Sequence, residues 1–137
     1  MTALIAEGLF RIQGGRAVLL GSKRRSSGAV RFPAERPELF DDTDDIIAIE
    51  LSTQGTLFTF TTQEFAPPLP YKGDRSPERF KPYVVGYVEL PEGVLVESLI
   101  VGSRPEDLRI GQPMTSTTTT LDTTDGQSFL TFAFTPA

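Results

Sequence analysis

Cationic and aromatic side chains alternate in the irregular segment between residues 63 and 81. These candidate binding residues are Phe65, Tyr71, Lys72, Arg75, Arg79, Phe80 and Lys81. Lys and Arg pair with phosphates and carboxylates, and aromatic rings stack on flat ligands or contact other proteins. A proline-rich connection of this length inside a compact domain is often functional. A solvated surface excursion explains the same composition, so both interpretations stay open.

Two residue types that dominate acid–base and metal chemistry are missing. The 137-residue sequence contains no Cys and no His, which excludes thiolate catalysis, imidazole catalysis and Cys/His zinc sites. A carboxylate enzyme using Glu89, Glu92 or Glu97 remains conceivable, but no second catalytic group follows at a recognisable spacing. We therefore expect no catalysis by this chain on its own.

The charge and hydropathy of the chain restrict its partners and location. A net charge of −5 and a pI near 4.7 argue against a nucleic-acid surface, because such binding rests on Lys and Arg at the phosphates. No apolar run approaches the roughly 20 residues of a membrane helix, and no basic leader precedes the first apolar segment. We expect a cytoplasmic protein with no membrane or nucleic-acid partner.

Short apolar runs separated by turn residues predict strands along most of the chain. In Tyr83 to Leu90, Val84 and Val88 point to one side and Tyr87 to the other, the period of two of a strand. The same alternation predicts that Phe58 and Phe60 share one face. Thr2 to Gly8 is compatible with a short helix. The other predicted strands are 9–12, 16–20, 29–32, 46–52, 56–62, 94–101, 114–121 and 128–135.

The predicted fold is all-β. From residue 46 onward the sequence contains six short strands, which suits a small Greek-key barrel of the OB-fold type. The earlier strands form small hairpins. We therefore divide the chain into an N-terminal hairpin lobe, residues 1–40, and an OB-fold barrel, residues 41–137.

An ordered set of short motifs resembles a known family. It is similar to the OB-fold proteins of acyl-CoA metabolism, a domain of unknown function that carries a rubredoxin-like zinc ribbon ahead of the barrel. The matching residues are Leu20–Lys23, Gly28–Pro33, Leu51–Ser52, Gly55–Thr61, Tyr83–Val85, Val88–Leu90, Glu92–Gly93 and Arg104–Pro113.

The chain departs from this family at the zinc ligands. Family members usually carry two CxxC pairs, and the resemblance places the first pair at Arg24 and Ser27 and the second near Glu38 and Asp41. The resemblance thus implies a zinc-less member. A structural zinc stabilises a small module by roughly 10–16 kcal/mol, whereas an exposed pair such as Arg24 with Glu38 returns only about 0–1 kcal/mol. We predict that the lobe is held by packing on the barrel or on a partner.

The resemblance implies a role in a larger complex. Members are mostly accessory subunits of thiolase-like or lipid-transfer-protein-like enzymes that act on acyl-CoA thioesters, and the catalytic residues belong to the partner. We expect no cofactor bound by this chain alone, with a CoA thioester as a possible shared ligand. The cations of residues 63–81 would meet the CoA phosphates, or the segment would contact the partner. The alternative function is an OB-fold module that binds single-stranded nucleic acid through stacking aromatics.

Overall fold

The ordered elements of the chain are almost all strands. The computed structural model describes residues 2–4, 9–36, 43–63, 82–122, 126 and 128–137. Single turns of 3₁₀ helix lie at Thr43–Asp45 and Pro105–Asp107. The strands are β1 (Thr2–Leu4), β2 (Phe10–Gln13), β3 (Arg16–Arg24), β4 (Val30–Arg31), β5 (Ile46–Glu50), β6 (Gln54–Gln63), β7 (Tyr83–Glu89), β8 (Leu95–Ile100), β9 (Pro113–Asp122) and β10 (Ser128–Pro136).

Five strands close into a barrel. The hydrogen-bonded order is β10-β8-β7-β6-β9, and β9 also pairs with β10, which joins the two ends of the sheet. β8 and β10 are parallel, and the other pairs of the barrel are antiparallel. The barrel is an OB-fold barrel, and the all-β prediction is confirmed. Thr2–Leu4 forms a strand parallel to β10, so the expectation of a helix there is wrong.

Four strands, β2 to β5, form a second sheet around β3. β2, β4 and β5 each pair with β3 in antiparallel register. β5 therefore joins the lobe sheet, whereas we expected all the strands from residue 46 onward in the barrel. The division at residues 40 and 41 stays a prediction, and the pairing of β5 with β3 crosses it.

One apolar core links the lobe to the barrel. Phe10, Ala17 and Leu19 of the lobe belong to the same buried cluster as the barrel residues Val88 and Phe134. Phe132 of β10 makes edge-to-face ring contacts with Phe10 and Phe32, with ring centroids 5.8 and 5.6 Å apart. Of the two supports predicted for the lobe, the barrel or a partner, these contacts show the barrel, and packing on a partner stays a prediction. Burial of these rings and aliphatic groups stabilises the lobe.

A β-bulge changes the predicted face of one aromatic residue. Leu57 pairs with Val88 and Thr59 pairs with Tyr87, so Phe58 is the extra residue between them. Leu57 is fully buried, Phe60 packs against the core and Phe58 is 52% exposed. The expectation that Phe58 and Phe60 share a face is therefore wrong, because one inserted residue inverts the alternation. In β7, by contrast, Val84 and Val88 are buried and Tyr87 is exposed, as predicted.

Close backbone approach explains one glycine of β6. A Cβ on Gly55 would lie 2.5 Å from the carbonyl oxygen of Glu89 and 2.9 Å from side-chain atoms of Val88 and Leu90. Any larger residue would push β6 away from the end of β7. In the part of the chain that the structure describes, no helix is long and apolar enough to span a membrane.

Candidate functional site

The outward side chains of β7 and β8 form one continuous surface, which we call the β7–β8 outer face. Cross-strand pairing places Val85 opposite Leu99 and Tyr87 opposite Glu97. Directly opposed residues bring their Cβ atoms within about 4.5–5.5 Å of each other, so these side chains share a surface. These side chains point outward because side chains alternate along a strand, and the alternate residues of β7 and β8 are buried inside the barrel. The members of the face are Val85, Tyr87, Glu89, Leu95, Glu97 and Leu99.

A cleft separates this face from the lobe. Its volume is about 520 Å³, within the range of roughly 300–1,000 Å³ that is usual for ligand pockets. The lobe contributes Leu9, Phe32 and Pro33, and β10 contributes Thr131 and Phe132. The barrel wall is Val85, Tyr87, Leu95, Glu97, Ser98 and Leu99. The cleft exists because the lobe packs at Phe132 and leaves the outer strands uncovered.

The cleft is apolar with an acidic rim. The Tyr87 hydroxyl donates to the Glu97 carboxylate over 3.3 Å, and both side chains are exposed. Glu89 lies on the same face, opposite Leu95. Among the described residues that line the cleft there is no Lys or Arg. The charge of this surface therefore disfavours phosphate-bearing ligands and favours apolar groups with a nearby cation.

The candidate binding residues predicted from the sequence are not part of the described structure. Phe65, Tyr71, Lys72, Arg75, Arg79, Phe80 and Lys81 all lie outside the described residues. What the structure gives is the place where their segment leaves and rejoins the barrel, because Gln63 and Tyr83 are cross-strand partners at the ends of β6 and β7. In OB-folds the connection between these first two strands and the face of the second and third strands carry ligand contacts. The binding role of the segment stays a prediction.

A polar cluster surrounds Arg24, where the resemblance places the first residue of the predicted zinc-ligand pair. We call Arg24, Ser26, Glu35 and Asp45 the Arg24 corner. Nε of Arg24 lies 3.1 Å from the Glu35 carboxylate, and Nη1 lies 3.6 Å from Asp45. The three charged side chains are only 23%, 18% and 17% exposed. Glu38 and Asp41, the other predicted ligand positions, lie outside the described residues.

Hydrogen bonds within the corner fix the turn after β3. The backbone N–H and the hydroxyl of Ser26 each donate to Asp45 over 2.8 Å. The hydrogen bond from the Ser26 side chain, reinforced by the Ser26 backbone and the Arg24 charge, lowers the pKa of the Asp45 carboxyl, although burial opposes this. Ser27, the second position of the first predicted ligand pair, accepts a hydrogen bond from Ala29 N–H over 3.2 Å.

The ion pairs and hydrogen bonds of the Arg24 corner stabilise local structure. Its carboxylates already have partners in Arg24 and Ser26. Across the described part of the chain, no group of three or more metal-ligating side chains converges. The resemblance predicted that Arg24 stands at a zinc-ligand position, and we paired it with Glu38. In the structure its partners are Glu35 and Asp45, which approach Arg24 only because the lobe strands pair.

Glu92 has a structural contact rather than a catalytic arrangement. Its Oε2 atom accepts hydrogen bonds from the backbone N–H and the hydroxyl of Ser52, at 3.0 and 2.8 Å. This contact ties the β7–β8 turn to the connection between β5 and β6. Its Oε1 atom is buried and has no hydrogen-bond partner among the described groups. Within the described residues, no second acid–base group lies beside Glu92. Its contact with Ser52 connects two parts of the chain.

Comparison with known proteins identifies the family. Residues 48–119, more than half of the chain, match the family model described as the ChsH2 C-terminal OB-fold domain. The chain belongs to this family. The matched range holds the first four strands of the barrel almost completely, including both strands of the β7–β8 outer face. The family resemblance predicted from the ordered motifs is thereby confirmed.

Two relatives extend this result. A DUF35 domain-containing scaffold protein of Methanocaldococcus jannaschii is 32% identical over 98 residues, which are 70% of this chain and 64% of that protein. The chain thus spans somewhat less than two thirds of the curated relative. A solved chain of the Ltp2-ChsH2(DUF35) aldolase has a TM-score of 0.58 and 23% identity, over 87% of this chain and 84% of that one. At that identity the likeness concerns the fold.

Proposed function

We propose that this chain is a non-catalytic accessory or scaffold subunit of a thiolase-like or lipid-transfer-protein-like enzyme complex that acts on acyl-CoA thioesters. The observation that carries the proposal is membership in the ChsH2 C-terminal OB-fold family. The relatives are named as a scaffold protein and as part of an aldolase assembly. The absence of Cys and His from the sequence agrees with a partner that supplies the nucleophile and the base.

The described surfaces fit a role in association. The carboxylates considered as catalytic candidates are Glu89 and Glu97 on the barrel surface and Glu92 bonded to Ser52. Among the described residues, none of them has a second acid–base group at hydrogen-bond distance other than the Tyr87 phenol at Glu97. The acidic rim of the cleft also lowers the expectation of single-stranded nucleic-acid binding, since that function needs a basic groove.

The experiment is purification of the tagged full-length chain from its own cells under mild salt, followed by mass spectrometry of stoichiometric partners. A thiolase-fold enzyme in the complex, with acyl-CoA turnover that rises when the chain is added back, supports the proposal. A chain that elutes with no partner, or turnover of acyl-CoA by the chain alone, contradicts it. Tight binding of a single-stranded oligonucleotide at low salt would favour the alternative.

The segment 63–81 enters this proposal as a second contact, either with CoA or with the partner. Charge reversal of Arg75 and Arg79 to Glu should weaken CoA-thioester binding by the complex if the cations meet its phosphates, by about 1.5–3 kcal/mol for each lost charge-assisted contact. The matched control is charge reversal of Arg104, whose exposed side chain pairs with Asp107. If CoA affinity and partner affinity both stay unchanged, the segment has neither role.

A further inference from the structure

We infer that the apolar cleft and the β7–β8 outer face form the docking site for the partner subunit. The site should receive an apolar side chain of the partner, flanked by a partner Lys or Arg that meets Glu97 and Glu89. This inference rests on the proposed function for the class of partner. It adds where the partner binds and which chemistry recognises it.

Exposed apolar side chains are the first support. Tyr87 is 40% exposed and Leu95 is 41% exposed, and both line the cleft. Phe58, at the bulge beside the Tyr87 pairing, is 52% exposed and extends this apolar surface onto β6. Bulges commonly re-aim a side chain at a functional position. Exposed clusters of this kind mark interaction sites, and Tyr is enriched among residues that dominate binding energy.

The charges of the face decide among possible occupants. Glu89 and Glu97 are diagonal neighbours across β7 and β8, and no described cation lines the cleft. A nucleic acid or the phosphate end of CoA would bring negative charge against these carboxylates. A second copy of this chain, with its net charge of −5, would do the same, because a two-fold dimer places each patch against itself. A protein surface with an apolar centre and a basic rim is the complementary occupant.

The test uses the protein that co-purifies in stoichiometric amount with the tagged full-length chain, repurified and measured by biolayer interferometry. Leu95→Ser and Tyr87→Ser should each raise Kd at least about 30-fold, the factor that corresponds to a hot spot of about 2 kcal/mol. Ile12→Ser is the matched control, because Ile12 is 49% exposed on the lobe and does not line the cleft. It should change Kd less than about 3-fold, as expected for a residue outside the interface.

The charge prediction has its own readout. Glu97→Lys should slow association about tenfold at low salt, and the difference from wild type should shrink at about 0.5 M NaCl, because rim charges act mainly on encounter rates and are screened by salt. The association rate of Glu97→Gln should lie between those of wild type and Glu97→Lys. An association rate that rises in Glu97→Lys would mean that the partner surface is not basic, which overturns the inference.

The outcomes separate this inference from the proposed function. A thiolase-fold partner that binds Leu95→Ser and Tyr87→Ser like wild type leaves the proposed function standing and overturns the docking site. A partner of another class that loses affinity for these two variants alone supports the docking site and removes the proposed function. Absence of any stoichiometric partner overturns both. Other occupants have their own readouts. If Leu95→Ser and Tyr87→Ser instead lose self-association, the cleft binds a second copy of the chain; if they lose octanoyl-CoA or oligothymidylate binding, it binds that ligand. Each of these results overturns the docking site.

Discussion

The barrel core and the Arg24 corner hold the chain together by different means. In the barrel, Leu57, Val88 and Phe134 are completely buried and belong to one apolar cluster. In the corner, charged side chains that are roughly one-fifth exposed share hydrogen bonds at the end of β3. Removing apolar surface from water stabilises the fold more for each residue, whereas an ion pair must first offset the desolvation of its charges.

This difference explains what holds the lobe on the barrel. The corner fixes the conformation of a turn, and packing of Phe10 and Leu19 on the barrel holds the lobe. A structural zinc would contribute about 10–16 kcal/mol, far more than the corner can return. The lobe should therefore unfold together with the barrel, and four variants test this division of roles.

The largest effect is expected in the barrel. Phe134→Ala should lower the free energy of unfolding by about 3–5 kcal/mol, because Phe134 is fully buried and its removal leaves a cavity. Urea denaturation followed by circular dichroism gives the value. Phe58→Ala is the control, since it removes the same type of side chain from a position where the ring is 52% exposed. Equal losses in the two variants would contradict the description of the core.

The next effect is expected at the junction. Leu19→Ala should cost about 2–5 kcal/mol and keep a single unfolding transition, because Leu19 is fully buried in the core shared by lobe and barrel. Ile12→Ala, on the same hairpin but 49% exposed, should cost clearly less. Two separate transitions in Leu19→Ala, recorded by differential scanning calorimetry, would show that the lobe unfolds independently.

A smaller effect is expected from the corner. Arg24→Met should cost about 1–2 kcal/mol, because it leaves the mostly buried Glu35 carboxylate without its cation. Arg104→Met is the matched control, since its pair with Asp107 involves side chains that are 73% and 54% exposed. Its cost should be near zero. A loss in Arg24→Met as large as that in Leu19→Ala would mean that the corner, and not packing, holds the lobe.

The smallest effect is a pH dependence. Because the pKa of Asp45 is lowered in the folded chain, chiefly by the Ser26 hydroxyl, its ionised form stabilises the fold above the ordinary Asp pKa of about 3.9. That contribution is lost as the pH falls through the lower, folded-state pKa. Asp45→Asn should therefore show a shallower decline of unfolding free energy below about pH 4, with Ser26→Ala intermediate. A wild-type slope in Asp45→Asn would contradict this.

Much of the fold follows from local pattern. Alternation in Tyr83 to Leu90 predicts which side chains of β7 enter the core, and Val84 and Val88 do so. The predicted strands 9–12 and 16–20 correspond to β2 and β3, which Gly14 and Gly15 separate. The family was indicated by the resemblance of the ordered motifs, and the family model then matched residues 48–119.

The sequence did not allow the pairing of strands that are distant along the chain to be predicted. Nothing local indicates that β5 joins β3, that Phe58 is a bulge, or that Glu35 and Asp45 meet Arg24. The cleft depends on the same long-range contacts, since Phe32 faces Tyr87 and Leu95 across it only when the lobe packs on Phe132.

The sequence by itself indicated most of the strands, carried the resemblance to the family and excluded cysteine and histidine chemistry. These properties depend on residue types and on spacing along the chain. Only the tertiary structure decided which residues surround Arg24, where the resemblance places a zinc ligand, and gave the β7–β8 outer face its apolar side chains and its acidic rim. Both depend on which residues approach each other in space, and that is fixed by packing of the whole chain.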